Sequence, residues 1–103
     1  MATEKATERK LIFINLLNGV DIVEVAKTFH KQSEKEVMDD FRFVALKIKS
    51  YVFARAMPYI DCGTIAEARA NKMQLLIILD KLNLDTVPIY SSITVNKVEE
   101  VFA

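Results

Sequence analysis

The 103 residues are enough for one domain and too few for two substantial ones. Hydrophobic residues make up 51% of the chain and charged residues 27%, which argues against disorder, while two glycines and two prolines are too few to favour the many turns of an all-β domain. The 14 basic and 14 acidic residues balance, which is evidence against strong nonspecific binding of nucleic acid.

Capping boxes mark the starts of three predicted helices. In a capping box, a short polar side chain accepts a hydrogen bond from an unpaired backbone N–H, and a glutamate three residues later reaches back to the cap. Each box here precedes a segment with apolar residues at helical spacing. The boxes are Asp21 with Glu24, Ser33 with Glu36, and Thr64 with Glu67.

Four helices are predicted in chain order, over about residues 3–17, 22–29, 34–57 and 64–82. Asn18-Gly19 is a good stop for the first helix, and Pro58 ends the third. A short closing helix is predicted within residues 94–103, whereas residues 86–95 could form either a strand or a loop. The expected fold is therefore an all-α, compact helical domain with about four to five helices.

The whole chain is predicted to be one domain with two parts. Residues 1–57 would form a three-helix unit, and residues 64–103 would supply the C-terminal helix and a packing or oligomerisation segment. Within the first unit, the third helix has one apolar stripe that suits the core. The residues of this stripe are Val37, Phe41, Val44, Ile48 and Val52.

A second apolar stripe runs roughly opposite the first on the same helix, at heptad spacing. A helix that is apolar on two sides must be covered on two sides. The cover is either the fourth helix of the same chain or the third helix of a second chain, so a homo-oligomer is one of two open alternatives. The stripe consists of Phe43, Leu46, Ser50, Phe53 and Met57, and all of these except Ser50 are the predicted oligomer interface.

Lys35, Arg42 and Lys49 recur at seven-residue steps along the third helix and form what we call the basic edge. One interpretation is an edge that contacts phosphates. The other is an ordinary solvated face, which is the commoner meaning of three charges in a balanced chain. Asp39 lies near the same line and weakens the positive potential there.

Residues 20–42, VDIVEVAKTFHKQSEKEVMDDFR, resemble the helix-turn-helix superfamily of DNA-binding domains, as in bacterial and phage regulators and phage packaging proteins. The matching positions are Ala26, a small residue where two helices cross, Phe29 at the end of the first helix, Ser33 as the cap of the second, and Val37, which faces inward. In this family the position of His30 needs a positive φ and is usually glycine.

The resemblance implies that the first turns of the second motif helix read DNA bases. The positions carried over are Gln32, Ser33, Lys35, Met38, Asp39 and Arg42. Of these, Gln32, Lys35 and Arg42 suit DNA, and with Lys49 they are the predicted DNA-binding residues. The helix order is also similar to that of small terminase subunits of tailed phages, which oligomerise through their central helices. Duplex DNA and a second copy of the chain are thus the expected partners.

Catalytic motifs are missing from the sequence. The single histidine, His30, has no nucleophile partner in the sequence, and Cys62 lacks a second cysteine for a metal site. We therefore expect no enzyme activity, no cofactor, no metal and no small-molecule substrate. The lone cysteine, the charged N-terminus without a signal peptide and the short apolar runs predict a cytoplasmic protein with no membrane span.

Two functions follow from these patterns. The first is a small DNA-binding protein for transcription regulation or phage DNA packaging, acting as an oligomer. The alternative is a protein-interaction or assembly module that keeps the helical core without binding DNA. The alternative draws on the zero net charge and on the acidic start of the third helix, where Glu34, Glu36, Asp39 and Asp40 stand within seven residues.

Overall fold

The structure is a computed structural model that describes residues 2–87. Within this range it contains five helices and no strand, which confirms the all-α prediction. The predicted closing helix lies outside the described residues, as does nearly all of segment 86–95. The helices are α1 (Ala2–Leu17), α2 (Ile22–Thr28), α3 (Glu34–Ala54), α4 (Ile65–Ala70) and α5 (Lys72–Lys81).

The core forms where α1 crosses the other helices. α1 contacts each of the other four, and α3 contacts α1, α2 and α5. Phe13 of α1 stacks on Phe41 of α3 with ring centroids 4.7 Å apart, and the predicted core stripe of α3 is buried along its whole length. α4 and α5 complete the core, because α4 packs on α1 and α5 packs on both α1 and α3.

Three helices end in the same way, with a residue in the left-handed conformation. These residues are Gly19 (φ 86°), His30 (φ 57°) and Ala56 (φ 50°). At each end, the N–H of the left-handed residue bonds to a carbonyl three residues back and the next N–H bonds to one five residues back, which defines a Schellman motif. His30 thus adopts a positive φ although it has a side chain.

Replacing Ala56 by glycine is expected to stabilise the fold by about 1 kcal/mol, because glycine adopts a positive φ without the clash that a Cβ makes there. Ala54→Gly is the matched control. This alanine is exposed in the last turn of α3, and its replacement should destabilise by about 0.5–1 kcal/mol. Urea unfolding of both variants measures the difference. Equal shifts of the midpoint in the same direction would contradict the assignment.

The structure corrects two details of the predicted helices. α3 ends at Ala54 rather than at Met57, because Ala56 turns the chain before Pro58 is reached. The predicted helix 64–82 is two helices that break at Asn71. The Asn71 side-chain amide donates to the carbonyls of Asp61 and Glu67, at 2.9 and 3.0 Å, and so holds the break in place.

The caps also differ from the predicted boxes. Ser33 and Thr64 accept from the backbone N–H three residues on, as expected. Asp21 makes no side-chain cap bond. Glu36 reaches back to the N–H of Gln32, at 2.8 Å. At least one acidic residue at the start of α3, Glu36, therefore serves to cap the helix.

The second apolar stripe of α3 is largely enclosed within one chain. Ser50 is buried, Phe43 and Phe53 are half-buried, and Met57 packs against the core. Arg9 of α1 covers the ring of Phe43, with its guanidinium carbon 3.8 Å from the ring centroid. Leu46 is the most open member, at 38% exposed. An oligomer interface on this stripe stays a prediction.

Candidate nucleic-acid interface

The first turn of α3 faces solvent, as the entry of this helix into a DNA groove would require. Every residue from Gln32 to Glu36 is exposed, and the core begins only at Val37. The Schellman stop at His30 and the Ser33 cap define a turn of five residues between α2 and α3. The helix start is therefore both ordered by its caps and accessible.

The three residues of the basic edge all lie on α3. The carboxylate of Asp39 lies close to two of them. Asp39 pairs with Lys35, with the ammonium 3.4 Å from Oδ2, and approaches Arg42, with Nη1 4.0 Å from Oδ1. All three side chains are more than half exposed. Exposed pairs of this kind contribute at most about 1 kcal/mol each. A phosphate can therefore compete with Asp39 for both cations.

Arg42 and Lys49 converge on a surface depression of about 220 Å³. Ala45 and Leu46 form the α3 side of its lining, and Gly63 contributes from the loop before α4. A Cβ added at Gly63 would lie 3.2 Å from the Lys49 ammonium, so the absence of a side chain there leaves room for the lysine. None of the lining residues is acidic. Arg42 and Lys49 thus both border one concave surface, most of which is apolar.

Residues 42–55 contain two more cations, Lys47 and Arg55, whose contacts lie away from this depression. The Lys47 ammonium donates to the carbonyl of Val87 and lies 5.4 Å from the ring centroid of Phe43, and the residue is buried. Desolvation lowers the pKa of Lys47, against a smaller opposing effect of Asp85. Arg55 lies over the ring of Tyr51, at 3.9 Å. Only Arg42 and Lys49 remain at the surface depression.

Asp40 is the charged residue whose role the sequence patterns missed. Its two carboxylate oxygens lie 3.2 Å from Arg9 Nε and 3.3 Å from Lys31 Nζ, and its side chain is only 10% exposed. Lys31 also pairs with Glu8 at 2.5 Å, and that hydrogen bond is the main cause of its raised pKa, with Asp40 adding to it. We call these four residues the ion cluster. It joins α1, the turn and α3.

A signal for this role was present in the sequence. Asp40 stands three residues after Val37 and one before Phe41, so at helical spacing it borders the core stripe. Asp39 is displaced by a further 100° and is 55% exposed. The two adjacent acids therefore have different roles. Asp40 pairs with Arg9 and Lys31 at the border of the core, whereas Asp39 pairs with a residue of the basic edge.

Cys62 has the chemistry of a structural thiol. It is fully buried, its Sγ lies 3.8 Å from the carbonyl oxygen of Ala45, and burial raises its pKa to about 12. Such a thiol stays protonated at neutral pH and is a poor nucleophile. Among residues 2–87, no group of three or more histidine, cysteine or acidic side chains is placed to hold a metal ion.

Across the part of the chain that the structure describes, no helix is both long and apolar enough to cross a bilayer. Comparison with protein-family models, with curated proteins and with solved structures finds no match to this chain.

Proposed function

We propose that the protein binds duplex DNA through α3, acting as a homo-oligomer in the cytoplasm, in the manner of small helix-turn-helix regulators or phage packaging proteins. The observation that carries the proposal is that Arg42 and Lys49 line the same depression, whose lining contains no acidic residue. Arginine and lysine at a concave surface are the usual donors to DNA phosphates, and arginine can bind a phosphate with two parallel hydrogen bonds.

The proposed roles follow the order of the residues along α3. Gln32 and Lys35 stand at the exposed helix start, where a recognition helix of this type meets base edges. Arg42 and Lys49 lie one and two heptads after Lys35, and they would contact the phosphates that border the groove. One chain offers few phosphate contacts, so two or more chains would have to bind together.

The proposal predicts salt-sensitive binding of duplex DNA by the wild-type protein. Fluorescence anisotropy with a labelled duplex of mixed sequence should detect a complex at ~50 mM salt that weakens strongly at ~200 mM, because cations that bind phosphates displace counterions from DNA. An unlabelled single strand of the same length serves as the competitor control. Failure to detect any complex at ~50 mM salt would refute the proposed binding of duplex DNA.

The alternative function is a protein-interaction or assembly module without affinity for DNA. The specific observation in its favour is Asp39, which pairs with Lys35 and approaches Arg42 in a chain of zero net charge. Under this alternative the basic edge is a solvated surface, and anisotropy stays flat at low salt. The two functions therefore give opposite results in the same titration.

A further inference from the structure

The depression beside Arg42 and Lys49 has more apolar surface than a phosphate would use. Ala45 and Leu46 form the α3 side of its lining. Leu46 stands between the two cations in the sequence, and 38% of it is exposed. A phosphate would bind the cations and leave this apolar surface in water. A ligand that carries an acidic group beside a large apolar group would cover both parts of the depression.

The chain itself contains such a combination in the segment 94–103, TVNKVEEVFA, which lies outside the described residues. This segment is the predicted closing helix, and at helical spacing its large apolar residues share one side. They are Val95, Val98, Val101 and Phe102. Glu99 borders this side, about 60° from Phe102 around the helix, whereas Glu100 lies about 160° from Phe102. The spacing therefore predicts one carboxylate next to an apolar stripe.

The last described residue, Val87, lies within reach of the depression. Lys47 of α3 donates a hydrogen bond to its carbonyl. Residues 88–93 separate Val87 from the predicted closing helix, and when extended they span up to ~20 Å. A helix with its side chains is about 10–12 Å wide, so the path half-way around α3 is shorter than ~20 Å. A segment tethered at this distance has an effective concentration of about mM, so even a weak contact would form.

The charges of the depression and of the segment are complementary. The lining of the depression contains two cations and no acid. In the segment, Lys97 lies about 160° from Glu99 around the predicted helix, so the side that carries Phe102 and Glu99 has an acid and no cation. Glu99 and Phe102 are three residues apart and therefore neighbours on a helix surface. They match an apolar floor that two cations border.

We propose that the segment 94–103 docks in the depression of its own chain, with Phe102 on the apolar floor and Glu99 at Arg42 and Lys49, and that duplex DNA displaces it. The docking stands without the proposed function, whereas the competition with DNA rests on it. The contact also covers Leu46, the most open member of the second stripe of α3. The segment would thus lower the affinity for DNA until phosphates replace its carboxylate.

The amide resonance of Gly63, measured by NMR on the full chain without DNA, tests the docking. Gly63 lines the depression, and the other glycine of the chain, Gly19, follows α1 and serves as the reference. Phe102→Ala and Glu99→Gln should each move the Gly63 resonance and leave that of Gly19 in place. Glu100→Gln is the matched control and should move neither. An unmoved Gly63 resonance in Phe102→Ala, or equal shifts in Glu99→Gln and Glu100→Gln, would overturn the proposal.

Two other placements of the segment give different spectra. If the segment covers the exposed side of α5, Phe102→Ala moves the amide resonances of Met73 and Ile77, which are 79% and 58% exposed, and not that of Gly63. If the segment comes from a second chain, dilution of the wild type moves the Gly63 resonance, because only an intramolecular contact is independent of concentration. Either result would refute docking of the segment within its own chain.

The affinity for duplex DNA tests the competition. Glu99→Gln and Glu100→Gln remove the same charge from the same segment, so they match in net charge. Glu99→Gln should bind DNA about fivefold more tightly, as expected for the loss of an exposed ion pair that competes with phosphate. Glu100→Gln should change the affinity less than about twofold, because a distant exposed charge is screened. Equal gains in the two variants would refute the competition.

The two readouts separate this inference from the proposed function. A Gly63 resonance that moves as expected, in a protein without affinity for DNA, refutes the proposed function and with it the competition, but not the docking. A Gly63 resonance that stays in place, in a protein that binds DNA, refutes the docking alone.

Discussion

Asp40→Asn is expected to destabilise the fold by about 3 kcal/mol, since removing one partner of a buried ion pair leaves the other uncompensated. Asparagine keeps the size of the side chain but not its charge. It can still accept one hydrogen bond, while its amide group would face the second cation. Arg9 and Lys31 would then lie close together with only Glu8 to balance them. Both cations are mostly buried, so water compensates little.

Asp39→Asn is the matched control for this prediction. The residue is the direct neighbour of Asp40 and has the same chemistry, yet it is more than half exposed. Its pairs with Lys35 and Arg42 are surface pairs, so the change in the free energy of unfolding should stay within about 0.5 kcal/mol. Urea unfolding at neutral pH measures both variants. Equal destabilisation by the two changes would show that the ion cluster does not hold α1 and α3 together.

Arg42→Ala combined with Lys49→Ala is expected to abolish detectable binding of duplex DNA at low salt. A hydrogen bond to a charged group contributes about 1.5–3 kcal/mol, so losing two phosphate contacts lowers the affinity by a hundredfold or more. Both side chains lie at the surface depression and not in the core, so the fold should survive. Fluorescence anisotropy at ~50 mM salt measures the loss of affinity, where phosphate-driven binding is near its tightest.

Two further variants test whether the affinity for DNA depends on the basic edge itself or only on the net charge of the protein. Lys5→Ala with Lys10→Ala removes the same charge from α1, which packs on the core face of α3, and should leave most of the affinity intact. Asp39→Asn should strengthen binding about fivefold, because a carboxylate near the phosphates costs about 1 kcal/mol. If the α1 variant and the basic-edge variant lose affinity equally, the contact is not localised on α3.

Much of the N-terminal fold was predictable because its signals are local. The start of α3 follows from the Ser33 cap, and the end of α1 follows from Gly19, whose positive φ needs no distant contact. The break at Asn71 was not predictable from periodicity, because the residues around it continue a helical pattern. The break is held by a contact outside the helix, the hydrogen bond from Asn71 to the carbonyl of Asp61 in the preceding loop.

The candidate site also combines features that helical spacing predicts with features that depend on the tertiary fold. The seven-residue spacing of Lys35, Arg42 and Lys49 predicts a shared line on α3, and the pairing of Asp39 with that line also follows from helical spacing. Two features depend on the tertiary fold. The approach of Gly63 to Lys49 requires the loop before α4 to return to α3, and the burial of Asp40 requires α1 to present Arg9.

The salt dependence of DNA binding tests the proposed role of α3 most directly. The logarithm of the binding constant should fall linearly with the logarithm of salt concentration, with a slope of about −0.9 for each phosphate contact. The measurement compares the wild type with the single variants Arg42→Ala and Lys49→Ala, which keep enough affinity to titrate. Each variant should lower the steepness of the slope by about 0.9 per bound chain. A wild type without affinity for duplex DNA, or variants with the wild-type slope, would contradict a phosphate contact at Arg42 and Lys49.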